Sequence, residues 1–331
     1  YRSGGSCIFR LFAESVSPVT PRTVLAPIRQ MQVQPTSPRP ALAPVRRLVQ
    51  VKSAPNRPTT SVLQSARLGS MPGLLLVDAL TEMRRYQDVG LAPTLAYFSE
   101  VGESPRLVAD AGMSCVDALA SLGNDGVLSL RASALGYDAD LLAQVLRHAQ
   151  ESQVSVQFDS QGPDSATAVF TCVQANQMHH DQIGVTLPGR WTRSRADAEQ
   201  ACELGLRVRV VKGQWADPLC PQFDERAGFL GLIARLAGKA CHVSVATHDA
   251  PLAHTALKRL LDSGTSCELE LTHGLPQQAA MQVARSLGVA VRNYFAYGSG
   301  CAPTTLGRSS GNPRALWWAL RESHNSAPAG G

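Results

Sequence analysis

The residues of this chain that are best suited to chemistry stand at the ends of short apolar segments. Residues 206–215 read LRVRVVKGQW, and their valines favour a buried β-strand. Arg209 is an anomaly there, because a guanidinium is rarely buried without an anionic or planar partner. Lys212 and Gly213 close the segment, and a glycine lets the backbone approach a ligand closely. Taken alone, the segment fits equally well a ligand-binding arginine or a structural arginine paired with an acid of a neighbouring strand.

Similar segments elsewhere in the chain also carry or end in charged, histidine or tyrosine side chains. In chain order these are Arg131, Asp159, Thr247-His248-Asp249, Glu268, Glu270, His273, Tyr294 and Tyr297. If parallel strands bring these ends together, the set is too polar for a core and suits a bound anion or a polar cofactor. Structural interpretations remain open: Arg131 and Asp159 as a buried ion pair, and His248 as a satisfied core histidine.

Common catalytic and metal-binding motifs are missing from the sequence. His179-His180 is an adjacent pair in a predicted loop, which we interpret as surface, and no metal site is expected. The glycine-rich stretch 297–300, YGSG, lacks the lysine of a phosphate loop. There is no GxGxxG after a predicted strand and no GxSxG nucleophile elbow.

The elements that must position these residues alternate between strand and helix. The predicted strands are 127–133, 154–159, 183–187, 207–212, 242–247, 267–272 and 289–295. Apolar residues at helical spacing lie between them, as in Leu141, Leu142, Val145 and Leu146. Serial repetition of this kind implies a parallel sheet with right-handed crossovers. We predict an α/β fold, a (β/α)₈ TIM-like barrel, although an eighth strand is not recognisable.

Two helices are expected to cap the barrel ahead of its first strand. Leu76, Leu80 and Met83 have helical spacing, and Gly90 is a suitable terminator. A second helix is predicted after Pro93.

Residues 1–68 differ in composition from the remainder, 69–331, which we assign to the barrel domain. Residues 1–60 hold nine Lys or Arg, nine Pro and a single acid, Glu14. Such a segment cannot bury enough surface to offset its ordering entropy, so a disordered leader is predicted. An organelle transit peptide and a low-complexity extension are both compatible with it. Clustered lysines with interleaved aromatics are missing, so no nucleic-acid partner is expected.

The whole chain sets two further bounds. It has no run of about 18 apolar residues of the kind that crosses a membrane. Its eight cysteines form no CxxC pair and lie mostly in apolar segments, as expected for reduced, buried thiols.

From about residue 72 to 322, the chain resembles the proline dehydrogenase family in six motifs that occur in the family's order. They are LSLRASALG at 128–136, Asp159, VRVVKGQW at 208–215, ATHD at 246–249, ELELTHGL at 268–275 and VRNYFAYG at 291–298. Each motif alone is weak, but six on the right predicted strands are a strong signal.

The resemblance implies an FAD-bound barrel that oxidises L-proline to 1-pyrroline-5-carboxylate and passes electrons to a membrane quinone. It implies catalytic roles for Asp159 and Arg209, the latter lying against the isoalloxazine. The cofactor-binding residues that it implies are Ser160, Arg209, Lys212, Gly213, Gln214, Thr247 and His248. The substrate-binding residues are Arg131, held by Asp159, together with Tyr294 and Arg308. Peripheral membrane association in a mitochondrion, or in a bacterial-type cytoplasm, would follow.

Four positions depart from the family's pattern. Arg131 replaces a lysine, Pro188 a flavin-contacting glutamine, Glu270 a glutamine, and Gly307 the first arginine of a pair that binds the proline carboxylate. Loss of one charge-assisted hydrogen bond, worth about 1.5–3 kcal/mol, predicts roughly 10- to 150-fold weaker carboxylate binding. Two alternatives therefore stay open: a different cyclic amine as substrate, or a non-catalytic barrel. From the fold alone, a lyase or hydrolase barrel without flavin is a third.

Overall fold

Eight parallel strands close into a barrel in the computed structural model, which describes residues 75–123 and 125–301. The strands are β1 Ala92–Tyr97, β2 Val127–Leu130, β3 Ser155–Phe158, β4 Ile183–Pro188, β5 Arg207–Val211, β6 Val243–Ala246, β7 Cys267–Thr272 and β8 Ala290–Tyr297. The predicted (β/α)₈ class is confirmed. The predicted domain boundary at residues 68 and 69, the leader and Arg308 lie outside the described residues.

Helices alternate with the strands. They are α1 Leu76–Gln87, α2 Pro105–Ala120, α3 Ala139–Glu151, α4 Ala166–Asn176, α5 Ser194–Glu203, α6 Glu225–Leu236, α7 Ala250–Asp262 and α8 Gln278–Leu287. Aspartates begin several of them; Asp224, for example, accepts the backbone N–H groups of Arg226 and Ala227 at the start of α6. Among the described residues, no helix is long and apolar enough to cross a bilayer.

The strand that the sequence did not predict is β1, and the sequence had predicted a second capping helix in its place. That prediction is wrong: residues 92–97 form β1, which pairs with β2 on one side and with β8 on the other and so closes the barrel. Proline is common at the first position of a helix, which is where the prediction placed Pro93. Six mostly apolar residues cannot be assigned to helix or strand by periodicity alone. The first capping helix, α1, is confirmed and ends before Gly90.

The apolar core lies between the strands and the helices rather than inside the barrel. On β5, Val208 and Val210 are fully buried on the helix side, while Arg209 points into the barrel and ion-pairs with acids of β7 and the β3 end. The alternation of side chains along a strand produces this division. The barrel interior therefore contains polar and charged groups.

His180 is buried rather than on the surface, which corrects the interpretation of the histidine pair. Its Nε2 atom lies 2.7 Å from the Val154 carbonyl oxygen, and its Nδ1 atom accepts the Gln182 backbone N–H at 2.9 Å. The ring thus joins the start of β3 to the start of β4.

Two glycines of α6 provide a matched test of the packing between that helix and the barrel. A Cβ atom on Gly228 would overlap the Gly189 carbonyl oxygen after β4, whereas a Cβ on Gly231 would meet nothing within 4 Å. We expect Gly228→Ala to lower the free energy of unfolding by about 1–3 kcal/mol through overpacking. Gly231→Ala should raise it by about 0.5–1 kcal/mol. Urea denaturation of both variants measures this, and equal effects would contradict the packing described.

Candidate active site

Arg209 lies at the centre of the carboxyl end of the barrel and is only 4% exposed. Its Nε and Nη2 atoms donate to the two oxygens of Glu270, at 2.6 and 2.9 Å. Its Nη1 atom donates to Asp159 Oδ1 at 2.7 Å and to Ser129 Oγ at 3.1 Å. This arginine therefore bridges acids of two strands that lie apart in the barrel.

Two further side chains complete the group. Thr94 Oγ1 donates to Glu270 Oε1 at 2.8 Å, and the Tyr294 hydroxyl donates to Asp159 Oδ2 at 3.2 Å. The Tyr294 ring also lies 5.3 Å from the Arg209 Cζ atom, within cation–π range. We call these residues the Arg209 cluster: Thr94, Ser129, Asp159, Arg209, Glu270 and Tyr294.

The electrostatics of the Arg209 cluster follow from its composition. Burial would lower the pKa of Arg209, but Glu270 and Asp159 raise it above its usual value. Burial and the Asp159 charge raise the pKa of Tyr294 well above 10.0, so its hydroxyl stays protonated and donates. Two carboxyl groups face one guanidinium, and Asp159, with a side chain 16% exposed against 3% for Glu270, is the more accessible acid.

Glu268 belongs to a second ion pair, at the amino end of the barrel. Arg292 Nε donates to Glu268 Oε1 at 3.0 Å, and Arg292 Nη1 donates to the Pro93 carbonyl oxygen at 2.9 Å. Burial opposes ionisation of Glu268, yet His242, whose Nε2 atom lies 3.3 Å from Oε1, and the charge of Arg292 bring its pKa below its usual value. Glu268 thus closes the far end of the barrel and does not join the strand-end residues with which the sequence grouped it.

Arg131 is at the same end as the Arg209 cluster but is not held by Asp159, which corrects that expectation. Its Nη2 atom donates to the Tyr97 carbonyl oxygen at 3.2 Å, and its Cζ atom lies 4.3 Å from the centre of the Phe98 ring. Within the described part of the chain, no carboxylate forms an ion pair with Arg131. Phe98 was missed by the sequence analysis because it follows the unrecognised strand β1.

His248 braces the ends of two strands. Its Nδ1 atom lies 2.8 Å from the Pro276 carbonyl oxygen, and its Nε2 atom accepts the Thr272 backbone N–H at 2.9 Å. Nδ1 therefore carries the proton of a neutral ring. Burial lowers the pKa of His248, consistent with this neutral form. Thr247, also buried, accepts the Asp249 backbone N–H at 3.2 Å.

Three cationic side chains gather beside the β5 end. Lys212 Nζ is 3.4 Å from Asp249 Oδ2, and Arg226 Nη1 is 2.5 Å from the same oxygen. Arg190 donates to the Gly213 and Gln214 carbonyl oxygens at 3.4 and 3.2 Å. Because α6 and α7 begin at Glu225 and Ala250, their positive N-terminal ends face this group.

The remaining sites predicted for the cofactor are dispersed. Gly213 has a φ of +103°, and a Cβ there would meet Pro188 Cβ at 2.8 Å, so only glycine fits. Gln214 is exposed. Ser160 lines a small cavity with Pro188 and Trp191, between β4 and the helices outside it, rather than the Arg209 cluster.

These donors fit one end of FAD better than the other. Lys212, Arg190 and Arg226, beside the N-termini of α6 and α7, have the chemistry that a diphosphate requires, and they share two carboxylates, Asp249 and Glu225. Arg209, expected against the flavin ring, already donates four hydrogen bonds to protein groups. Its expected role toward a flavin remains a prediction. In residues 75–123 and 125–301, no three His, Cys, Asp or Glu side chains are grouped to hold a metal.

The fold and the cluster together define an α/β barrel with a buried ionic centre at the carboxyl ends of its strands. Similar solved structures are proline utilization A (PutA) proteins. PutA from Bdellovibrio bacteriovorus, inactivated by N-propargylglycine, matches with a TM-score of 0.66 and 14% identity over 78% of this chain and 34% of that one. PutA from Corynebacterium freiburgense matches with a TM-score of 0.62 and 13% identity, over 76% of this chain and 31% of that one.

The Bradyrhizobium japonicum PutA mutant D779W matches at 0.56 and 16%, over 78% of this chain and 30% of that one. The chain thus spans about a third of the length of these PutA chains, and it has their barrel fold. No protein-family model and no curated protein match the chain.

Removing Arg209 tests whether the ionic centre stabilises the fold. Arg209→Met leaves Glu270 and Asp159 buried without their cation, and we expect the free energy of unfolding to fall by about 3–5 kcal/mol. Arg207→Met is the matched control, because Arg207 is more exposed and lies 3.7 Å from Glu268. Urea denaturation should show a much smaller loss for the control. Equal losses would contradict the central role of Arg209.

Acid should destabilise the fold through its buried neutral histidines. The pKa values of His180, His248 and His273 are lowered by burial, so the folded chain binds fewer protons than the unfolded chain below the usual value of 6.5. Stability is therefore complete above about pH 6.5 and falls as the pH drops, by at most about 1.4 kcal/mol per pH unit for each histidine.

His248→Asn tests how much His248 contributes to this loss of stability in acid, because asparagine keeps a hydrogen-bond donor but cannot titrate. We expect the difference in unfolding free energy between wild type and this variant to narrow between pH 7 and pH 5. A difference that is constant across this range would contradict the assigned neutral form of His248.

Proposed function

We propose that this barrel dehydrogenates a cyclic secondary α-amino acid of the proline class, with FAD as hydride acceptor. The observation that carries the proposal is the placement of Arg131 beside Asp159. Leu130 of β2 and Phe158 of β3 are register partners, so the residues that follow them, Arg131 and Asp159, are neighbours of opposite charge. Yet each side chain turns to other groups, Arg131 to Phe98 and Asp159 to Arg209.

This arrangement suits a zwitterion. Arg131 has donors for a carboxylate, and Asp159 is the accessible acid of the Arg209 cluster. An α-amino acid carries its ammonium and carboxylate on one carbon, so adjacent opposite charges can bind both. Tyr294, whose ring lies over Arg209, would pack against the apolar ring of the substrate.

The amine must lose a proton before it can give up hydride. Asp159 Oδ2 bonds only to the Tyr294 hydroxyl among the described residues, at 3.2 Å, whereas Oδ1 bonds to Arg209. In the proposal, Oδ2 takes the proton from the substrate ammonium, which leaves the neutral amine, while Arg209 and Tyr294 keep the Asp159 carboxylate fixed.

FAD would be held through its diphosphate by Lys212, Arg190 and Arg226. When bound, it supplies the hydride acceptor, while the protein supplies binding, orientation and electrostatics. The commitment of Arg209 to two carboxylates leaves a second candidate, a barrel that binds such a ligand without turnover. The proposal includes electron transfer to a quinone, peripheral membrane association and a mitochondrial location.

Flavin absorbance under anaerobic conditions tests the proposal. Purified protein supplied with FAD should show flavin absorbance, and L-proline should bleach it. Asp159→Asn should retain the absorbance but slow bleaching by about 10²–10⁴-fold, the usual contribution of a proton-accepting group. Bound flavin that neither proline nor another cyclic amino acid bleaches would favour the non-catalytic barrel. Protein that takes up no FAD would end the proposal.

A further inference from the structure

Arg131 is unusual among the cations of the site in its surroundings. Arg209 and Lys212 each face carboxylates, whereas the described contacts of Arg131 are a carbonyl oxygen and an aromatic face. A guanidinium 4.3 Å above a ring is held without neutralisation of its charge. The Phe98 ring therefore orients Arg131 and leaves its charge available to an anion.

The glycine-rich stretch 297–300 accounts for the fixed position of Phe98. The Phe98 backbone N–H donates to the Tyr297 carbonyl oxygen at 2.8 Å, and the Phe98 carbonyl oxygen accepts the Gly300 N–H at 2.9 Å. A Cβ on Gly298 would meet that carbonyl oxygen at 2.6 Å, and one on Gly300 would meet it at 2.8 Å. These two glycines let the turn after β8 lie directly against the Phe98 backbone.

We propose that Phe98, fixed by the Gly298–Gly300 turn, is a positioning residue that presents Arg131 to the carboxylate of the substrate. The turn, which has no phosphate-loop lysine, thereby acquires a role as a support for the recognition of an anion. The part of this inference that concerns the substrate rests on the proposed function; the part that concerns the Phe98–Arg131 pair does not.

The pair can be observed without any ligand. Aromatic ring current should displace the Arg131 Nε–H resonance in NMR spectra of ¹⁵N-labelled protein, and the signal is identified by its loss in Arg131→Met. Phe98→Leu should return it toward the positions of the other arginines, whereas Phe98→Tyr should not. Gly300→Ala should move it as well. An Arg131 signal unchanged in Phe98→Leu would overturn the proposal.

Binding of three ring compounds then tests recognition. Calorimetry compares proline, pyrrolidine, which lacks the carboxylate, and cyclopentanecarboxylate, which lacks the amine. Phe98→Leu should weaken the binding of proline and of cyclopentanecarboxylate by about 2- to 30-fold, the range of a cation–π contact. The affinity for pyrrolidine should stay unchanged. Phe170→Leu, on α4, controls for loss of an aromatic residue elsewhere.

A double variant separates positioning from general loss of structure. Phe98→Leu combined with Arg131→Met should bind proline no more weakly than Arg131→Met alone, since Phe98 acts through Arg131. Additive losses, or equal weakening of pyrrolidine, would overturn the proposal. If the wild type binds none of the three compounds, the proposed substrate class fails, and the NMR comparison still decides whether Phe98 positions Arg131.

Discussion

The bidentate pair between Arg209 and Glu270 is the interaction on which this barrel depends. Both side chains are almost fully buried, and an ion loses several kcal/mol of hydration when it is buried. That cost is offset only where geometry is good and the remaining donors and acceptors are satisfied. Thr94, Ser129 and Asp159 meet this requirement from three other strands or strand ends. The pair therefore constrains β1, β2, β3, β5 and β7 at once.

This constraint also fixes the strand register. A shift of β5 by one residue would turn Arg209 toward the helices and bring Val208 or Val210 into a charged interior. Such a shift would also bury Glu270 and Asp159 without their cation. The same shift would cost less free energy in a barrel whose interior was purely apolar. The second pair, Arg292 with Glu268, does the same for β7 and β8 at the amino end. The ionic interior thus selects a single barrel register, while the apolar layer outside it supplies most of the buried surface.

Periodicity and strand-end chemistry predicted seven of the eight strands and placed Arg209, Asp159 and Tyr294 at one end. They did not predict β1, because Pro93 and a short apolar run fit a helix start as well as a strand. Without β1, neither Thr94 nor Phe98 could be assigned a place, and Arg131 had Asp159 as its only apparent partner. His180 was misplaced because its partners, Val154 and Gln182, are backbone groups that no side-chain pattern identifies. Which acid pairs with which arginine depends on the stagger between neighbouring strands of the barrel. The sequence of a single strand does not determine that stagger.

The buried part of the site differs from its rim, because the hydrogen bonds of Arg209 all go to protein groups. Around Arg209 and Glu270, the described donors and acceptors satisfy one another, so a ligand gains little there without breaking a buried pair. At the rim lie Arg131, which has no carboxylate partner among the described residues, and three cations that pair with Asp249 or Glu225: Lys212, Arg190 and Arg226. They stand on segments that follow β2, β4 and β5 or begin α6. In the proposed function, recognition of an anionic ligand therefore falls to the rim. Likeness to PutA structures at 13–16% identity shows the fold, which positions these loops. In the proposal, the choice of ligand depends on rim residues such as Arg131, which contacts Phe98 directly after β1, the strand that the sequence pattern did not reveal.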